Sequence, residues 1–116
     1  MSDIKRLRTT ARMSQAVFAN GFAFFSGQVP STPEASIASQ TKEVFDKIDS
    51  LLKEQNIGRE NIVSATVWLT DPALFEQFNA VWDGWIPTGH APARACVQAQ
   101  LMRPGLLVEI AVIASL

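Results

Sequence analysis

A chain of 116 residues is one domain's worth of sequence, and 47% hydrophobic residues exclude a disordered chain. Ten Lys+Arg against eleven Asp+Glu leave a net charge of −1, which excludes the electrostatic footprint of a nucleic-acid binder. One cysteine excludes an internal disulfide framework and fits a reducing compartment, and one cysteine with one histidine cannot build a Cys/His zinc site within a single chain.

Further expectations follow from the same composition. No apolar run reaches the roughly 18 residues that span a membrane, and the charged opening MSDIKRLRTTARMSQ lacks the apolar core of a signal peptide. Charged residues are only 18%, against about 25% in ordinary soluble domains, so a lone copy would expose much apolar surface. The expectation is a cytoplasmic, single-domain homo-oligomer spanning residues 1–116, with no membrane and no nucleic-acid partner.

In chain order, the basic cluster Lys5, Arg6, Arg8 and Arg12 reads as a solvated first strand or arm. Residues 16–19 and 22–25 are apolar runs separated by Asn20-Gly21. That pair predicts a hairpin, because both central residues of a type I′ turn need positive φ. Ser31-Thr32-Pro33-Glu34 reads as a helix start, with a hydroxyl cap, an early proline and a carboxylate in the first turn. Thr41, Val44, Phe45, Ile48, Leu51 and Leu52 then repeat at three and four, giving one apolar stripe that runs to about Gln55.

Residues 62–69 (IVSATVWL) read as a strand with Val63, Ala65, Val67 and Leu69 on one face. Asp71-Pro72 caps a second helix that turns Phe75, Phe78, Val81 and Trp82 inward and ends near Gly84. Residues 87–92 form a loop holding His90. Residues 93–101 alternate, with Ala93, Ala95, Val97, Ala99 and Leu101 on the face expected to be core and Arg94, Cys96, Gln98 and Gln100 on the polar one. Residues 106–114 are apolar on both faces apart from Glu109. The order ββαβαββ is that of an α+β domain with two helices on one side of a sheet. Its uncovered face is apolar enough to want another subunit.

Glu109 is the most informative residue. A lone carboxylate within a doubly apolar strand costs several kcal/mol to bury ionised unless something pairs with it. A structural ion pair or a water-facing edge position accounts for it as well as a functional role does. Arg94, behind the rigid Ala91-Pro92, offers a planar guanidinium that can clamp a carboxylate through two parallel hydrogen bonds. Cys96 follows on the same face, about 6–7 Å along the strand. A Cys96–His90 nucleophilic pair would lack a group to orient the imidazole, so Cys96 reads first as an inert thiol. Ser26-Gly27-Gln28 ends a strand where a glycine admits close approach to the backbone. Asn79 puts an amide on the inward face of the second helix, where it needs a partner.

Together these segments resemble the reactive intermediate deaminase family (Rid, also called YjgF), from about Met13 to the C-terminus. The resemblance is carried by Ser26-Gly27-Gln28-Val29-Pro30, by FEQFNAVW around Asn79, by Pro92-Ala93-Arg94-Ala95-Cys96-Val97 and by Val108-Glu109-Ile110. It implies a chorismate-mutase-like fold, with a mixed sheet and two helices on one face, assembled as a homotrimer with sites between subunits. It implies hydrolysis of reactive imines and enamines of 2-amino acids, such as 2-iminobutanoate and 2-iminopropanoate, to 2-oxo acids and ammonia without metal or cofactor. Arg94 would bind the substrate carboxylate and Glu109 would activate water. Ser26, Gly27, Cys96 and Asn79 would line the pocket.

The family's best-known branch has a tyrosine where this chain has Met13, and the chain has no tyrosine at all. Met13 is therefore a candidate pocket residue of a divergent branch, and a non-catalytic carboxylate-binding trimer is the alternative reading.

Geometry adds one expectation. If the last two strands paired as a hairpin around Arg103-Pro104-Gly105, Gln98 would face Glu109 and Arg94 would lie about 13 Å along the strand. The resembled fold inserts another strand between them. Each site is therefore expected to take Arg94 from one chain and Glu109 from the next.

Overall fold

A computed structural model describes residues 3–116. Six strands form one mixed sheet: β1 (Lys5–Leu7), β2 (Ala16–Ala19), β3 (Phe22–Phe25), β4 (Ile62–Leu69), β5 (Ala93–Gln98) and β6 (Val108–Ser115). Two helices, α1 (Ile37–Glu54) and α2 (Phe75–Trp85), complete an α+β architecture. The strand order is β1-β2-β3-β6-β4-β5, antiparallel throughout except for the parallel pair β4/β5. The C-terminal strand thus lies mid-sheet, and β4 separates it from β5.

The β2–β3 hairpin forms at Asn20-Gly21, where φ is 53° and 83°. All six residues of the expected α1 stripe are buried, together with Ile37 and Gln40. The start of α1 differs from expectation. The Glu43 carboxylate accepts hydrogen bonds from the backbone N–H of Ser31 and Thr32, and Glu34 adopts φ 67°, so residues 31–35 turn instead of coiling. Ser36 is the true cap, its hydroxyl accepting from Ser39 N–H at 3.2 Å. Asp71 caps through Ala73 N–H as expected, but its first turn is a 3-10 helix over Pro72–Leu74 that leads into α2.

The core lies between the helices and one face of the sheet. Ala65, Val67 and Leu69 of β4 and Val108, Ile110, Val112 and Ala114 of β6 are buried there. Val63 departs from the expected face: the pairing slips between Ile62 and Ser64, which buries Ile62 and exposes Val63. Phe75 is likewise exposed, at the start of α2, while Trp85 is buried one residue beyond the expected helix end. Trp85 stacks on Phe45 at a ring separation of 4.0 Å and an interplanar angle of 2°. Its indole N–H donates to Asp49, which also accepts two hydrogen bonds from Arg59.

Strand β5 stops at Gln98 and has the reverse of the expected sidedness. It is an edge strand, and each of its residues shares a face with its β4 partner: Arg94 with Ala65, Cys96 with Val67. Ala65 and Val67 face the helices, so Arg94 and Cys96 do too, and Ala95 and Val97 lie on the open face. Buried Gln40 then fixes the approach to β6. Its amide donates to Ala35 O and Gly105 O and accepts from Leu107 N–H, tying the loop before Val108 to α1.

The open face is apolar, with Phe22, Phe24 and Val97 each about 39–48% exposed. No helix among the described residues is long and apolar enough to cross a membrane.

Candidate functional site

The expected site residues fall into two groups on opposite faces of the sheet. The first is built on β5 and α2. The Arg94 guanidinium rests over three rings of α2, with Cζ 4.8 Å from the Trp82 centroid, 5.8 Å from Phe78 and 5.9 Å from Phe75. Asn79, on the same helix face, accepts a hydrogen bond from Arg94 Nη1 at 3.0 Å. Asn79 therefore orients the arginine, a finer role than lining a pocket. One bond leaves most of the fork's N–H donors unspent.

Cys96 is half-buried on the same face. Burial raises its thiol pKa, and the nearby Arg94 charge lowers it less. The thiol stays protonated at neutral pH, as expected of an inert lining group.

The second group is built where the chain leaves β3. Gln28 pairs with Ile110 through two backbone hydrogen bonds, of 2.8 and 3.1 Å, which lay Ser26 and Gly27 beside β6. The Glu109 carboxylate then occupies the space where a side chain at Gly27 would begin. A Cβ placed there would overlap Oε2 and lie 3.0 Å from Cδ. The Ser26 hydroxyl and the Gln28 amide both donate to Gln15 Oε1, at 3.2 Å each. Gln15 and Gln28 thus stiffen this strand end. Only Gln28 was visible in the sequence motif, and no spacing signal marks Gln15.

Met13 is 44% exposed, in the turn closed by Thr10 two residues ahead of Gln15. Its side chain is bonded to neither group.

Glu109 makes no hydrogen bond or ion pair among the described residues, and burial raises its pKa. It pairs across the sheet with Trp68, which pairs with Val97, all on the open face. Arg94 lies two strands away, three residues further along and on the other face. Two strand spacings and three residue rises put these backbones about 14 Å apart. Within one chain, Arg94 and Glu109 cannot touch a common small molecule.

Gly27→Ala separates a structural from a functional role for this packing. The atom in the way is the tip of a flexible side chain, so the Glu109 carboxylate can swing aside at little cost to the fold. The melting temperature should stay within a few degrees, as expected for a change of about 1 kcal/mol or less. If the carboxylate is a reacting group, turnover falls by about 100-fold, the usual penalty for misplacing one by an ångström, and an unchanged rate marks the packing as structural. Thermal melts and steady-state rates on one preparation check both halves.

Residues 3–116 match the family model described as Endoribonuclease L-PSP. The RutC family protein YoaB of Escherichia coli is 38% identical over 112 residues, covering 97% of each chain. A crystal structure of a YjgF family member from Neisseria meningitidis superposes with a TM-score of 0.92 at 42% identity, covering 97% of this chain and 94% of that one. A Rid family protein of unknown function from Yersinia pestis gives a TM-score of 0.86 at 31% identity, covering 93% and 90%.

Proposed function

Because the chain belongs to the RutC family, also known as YjgF or Rid, we propose that it is a cofactor-independent hydrolytic deaminase of imines and enamines derived from 2-amino acids. The active unit in this reading is a cytoplasmic homotrimer whose sites lie between subunits. The observation that carries it is the division of the site: an arginine held with donors to spare on one face, and on the other a carboxylate of raised pKa with no partner among the described residues. Each half lacks what the other offers. The apolar open face, with Phe22, Phe24 and Val97 exposed, supplies the surface that would bury another subunit.

The chemistry follows from the groups. Arg94 holds the substrate carboxylate through two parallel hydrogen bonds. Glu109 of the adjoining subunit, ionised, takes a proton from water as its oxygen bonds to the imine carbon. Glu109 passes that proton to the imine nitrogen, which gives the carbinolamine and leaves the carboxylate ionised again. It then takes the hydroxyl proton and delivers it to the amine as the C–N bond breaks, so ammonia leaves and the retained oxygen becomes the carbonyl of the 2-oxo acid. Both protons that reach nitrogen come from the one water, so atoms and charge balance. A carboxylate whose pKa is raised by burial is closer to neutral pH and better suited to both transfers. The backbone at Ser26-Gly27 and at Cys96 lines the cleft, and no metal or cofactor enters the scheme.

The test is direct. 2-Iminobutanoate or 2-iminopropanoate is generated enzymatically and its decay is followed with and without this protein. Acceleration supports the deaminase, and none across several such imines contradicts it.

A second reading is favoured by Met13, which stands where the family's best-known branch carries a tyrosine: a non-catalytic carboxylate-binding trimer using the same cleft. It predicts that 2-oxo acids bind without any turnover. Endoribonuclease activity finds little support in the charge of the chain, which is −1 overall. Nucleic-acid affinity needs several free phosphate contacts, and within the small basic arm Arg8 already pairs with Glu54.

A further inference from the structure

Beside Arg94 the structure holds a slot of about 340 Å³, open to one side and lined by Leu69, Pro72, Phe75, Cys96, Val97 and Gln98. Phe75 is common to both places, since its ring also lies 5.9 Å from the Arg94 guanidinium. Cys96 is one pleat along the same face of β5. Phe75 and Cys96 thus make the slot adjacent to the Arg94 guanidinium, within reach of a small molecule whose carboxylate that guanidinium holds. No charged side chain lines it. Gln98 is the one polar side chain there, and its amide is engaged with Thr70 O at 3.3 Å.

We propose that this slot receives the substrate's side chain and makes the protein selective for 2-imino acids with apolar side chains, branched aliphatic or aromatic, over small or charged ones. The inference rests on the deaminase reading for the nature of the substrate, but not for the existence of the slot. A charged side chain entering it would lose water and meet no partner. Each methylene buried in it should strengthen binding by about fourfold at full enclosure. The open side reduces that gain.

Calorimetry on the whole protein with three 2-oxo acids tests the proposal without requiring turnover. 2-Oxo-4-methylpentanoate should bind about tenfold or more tighter than 2-oxopropanoate, and 2-oxoglutarate should bind more weakly than 2-oxo-4-methylpentanoate by a similar factor. Gln98→Lys, at an exposed position, should raise the affinity for 2-oxoglutarate relative to 2-oxo-4-methylpentanoate by about tenfold, a small fraction of the cost of leaving the charge unpaired. Equal affinities, tighter 2-oxoglutarate binding by the wild type, binding of none of the three, or no change of preference in the variant would each overturn the slot. The matching imines are run in the decay assay. Binding preference without acceleration contradicts the deaminase and leaves the slot supported, so the two failures are distinct.

Discussion

Replacing Arg94 with alanine is expected to lower kcat/KM by about 1,000-fold or more while the protein stays folded. A charge-assisted hydrogen bond contributes about 1.5–3 kcal/mol, and a bidentate carboxylate clamp loses two at once. The cost to the fold is far smaller. Arg94 is an exposed side chain resting on rings that pack among themselves, Phe78 against Trp82 at 6.1 Å and Phe45 against both. Losing its cation–π contact should cost about 1 kcal/mol, or a few degrees of melting temperature. Arg94→Lys keeps the charge but loses the planar fork, so activity should fall to between the wild type and Arg94→Ala. Steady-state kinetics with matched thermal melts check all three proteins. A variant as active as the wild type would remove Arg94 from substrate binding.

Glu109→Gln should show the opposite division of effects. Turnover should fall by about 100- to 10,000-fold, the usual worth of a positioned acid–base group, with KM changed only a few-fold because the carboxylate of the substrate is held elsewhere. Stability should hold or rise at neutral pH. Burial raises the pKa of Glu109 in the folded protein, so the residue favours the fold below the ordinary carboxylate range and loses that contribution as pH climbs through the raised value. The amide has no such loss, so the variant's advantage in melting temperature should open across that window and close in acid. In the wild type the acid limb of kcat/KM should lie above the ordinary carboxylate range, because the base must be ionised. If Glu109→Gln were instead strongly destabilised at neutral pH, the carboxylate would have a structural partner.

Local signals proved reliable where one physical cause dominated. Asn20-Gly21 fixed a hairpin because only positive φ closes that turn, and the α1 stripe was legible because helical period and burial agree along its whole length. Sidedness was not legible in β5. Ala95 and Val97 are as apolar as any core strand, yet they lie on the outer face, and the helix side is given to Arg94 and Cys96. Alternation tells which residues share a face, and it is silent on which face meets the helices. Ser31-Thr32-Pro33-Glu34 misled for a similar reason, since a distant carboxylate, Glu43, claimed the backbone N–H groups of Ser31 and Thr32. The opposition of Glu109 to Gly27 depends on the Gln28–Ile110 bridge across 82 positions of chain, which leaves no local trace. The individual candidate residues were thus visible in the sequence, and their grouping on two faces of the sheet required the strand order.

The central claim is that a working site takes Arg94 from one subunit and Glu109 from another. On the proposed trimeric assembly, Arg94→Ala and Glu109→Gln proteins, each strongly impaired alone, would be mixed in equal amounts, dissociated and reassembled. In a cyclic trimer every mixed assembly contains one junction with both residues intact, so random reassembly should recover about a quarter of the wild-type rate. A mixture that stays inactive while wild-type protein carried through the same cycle recovers would contradict the shared site.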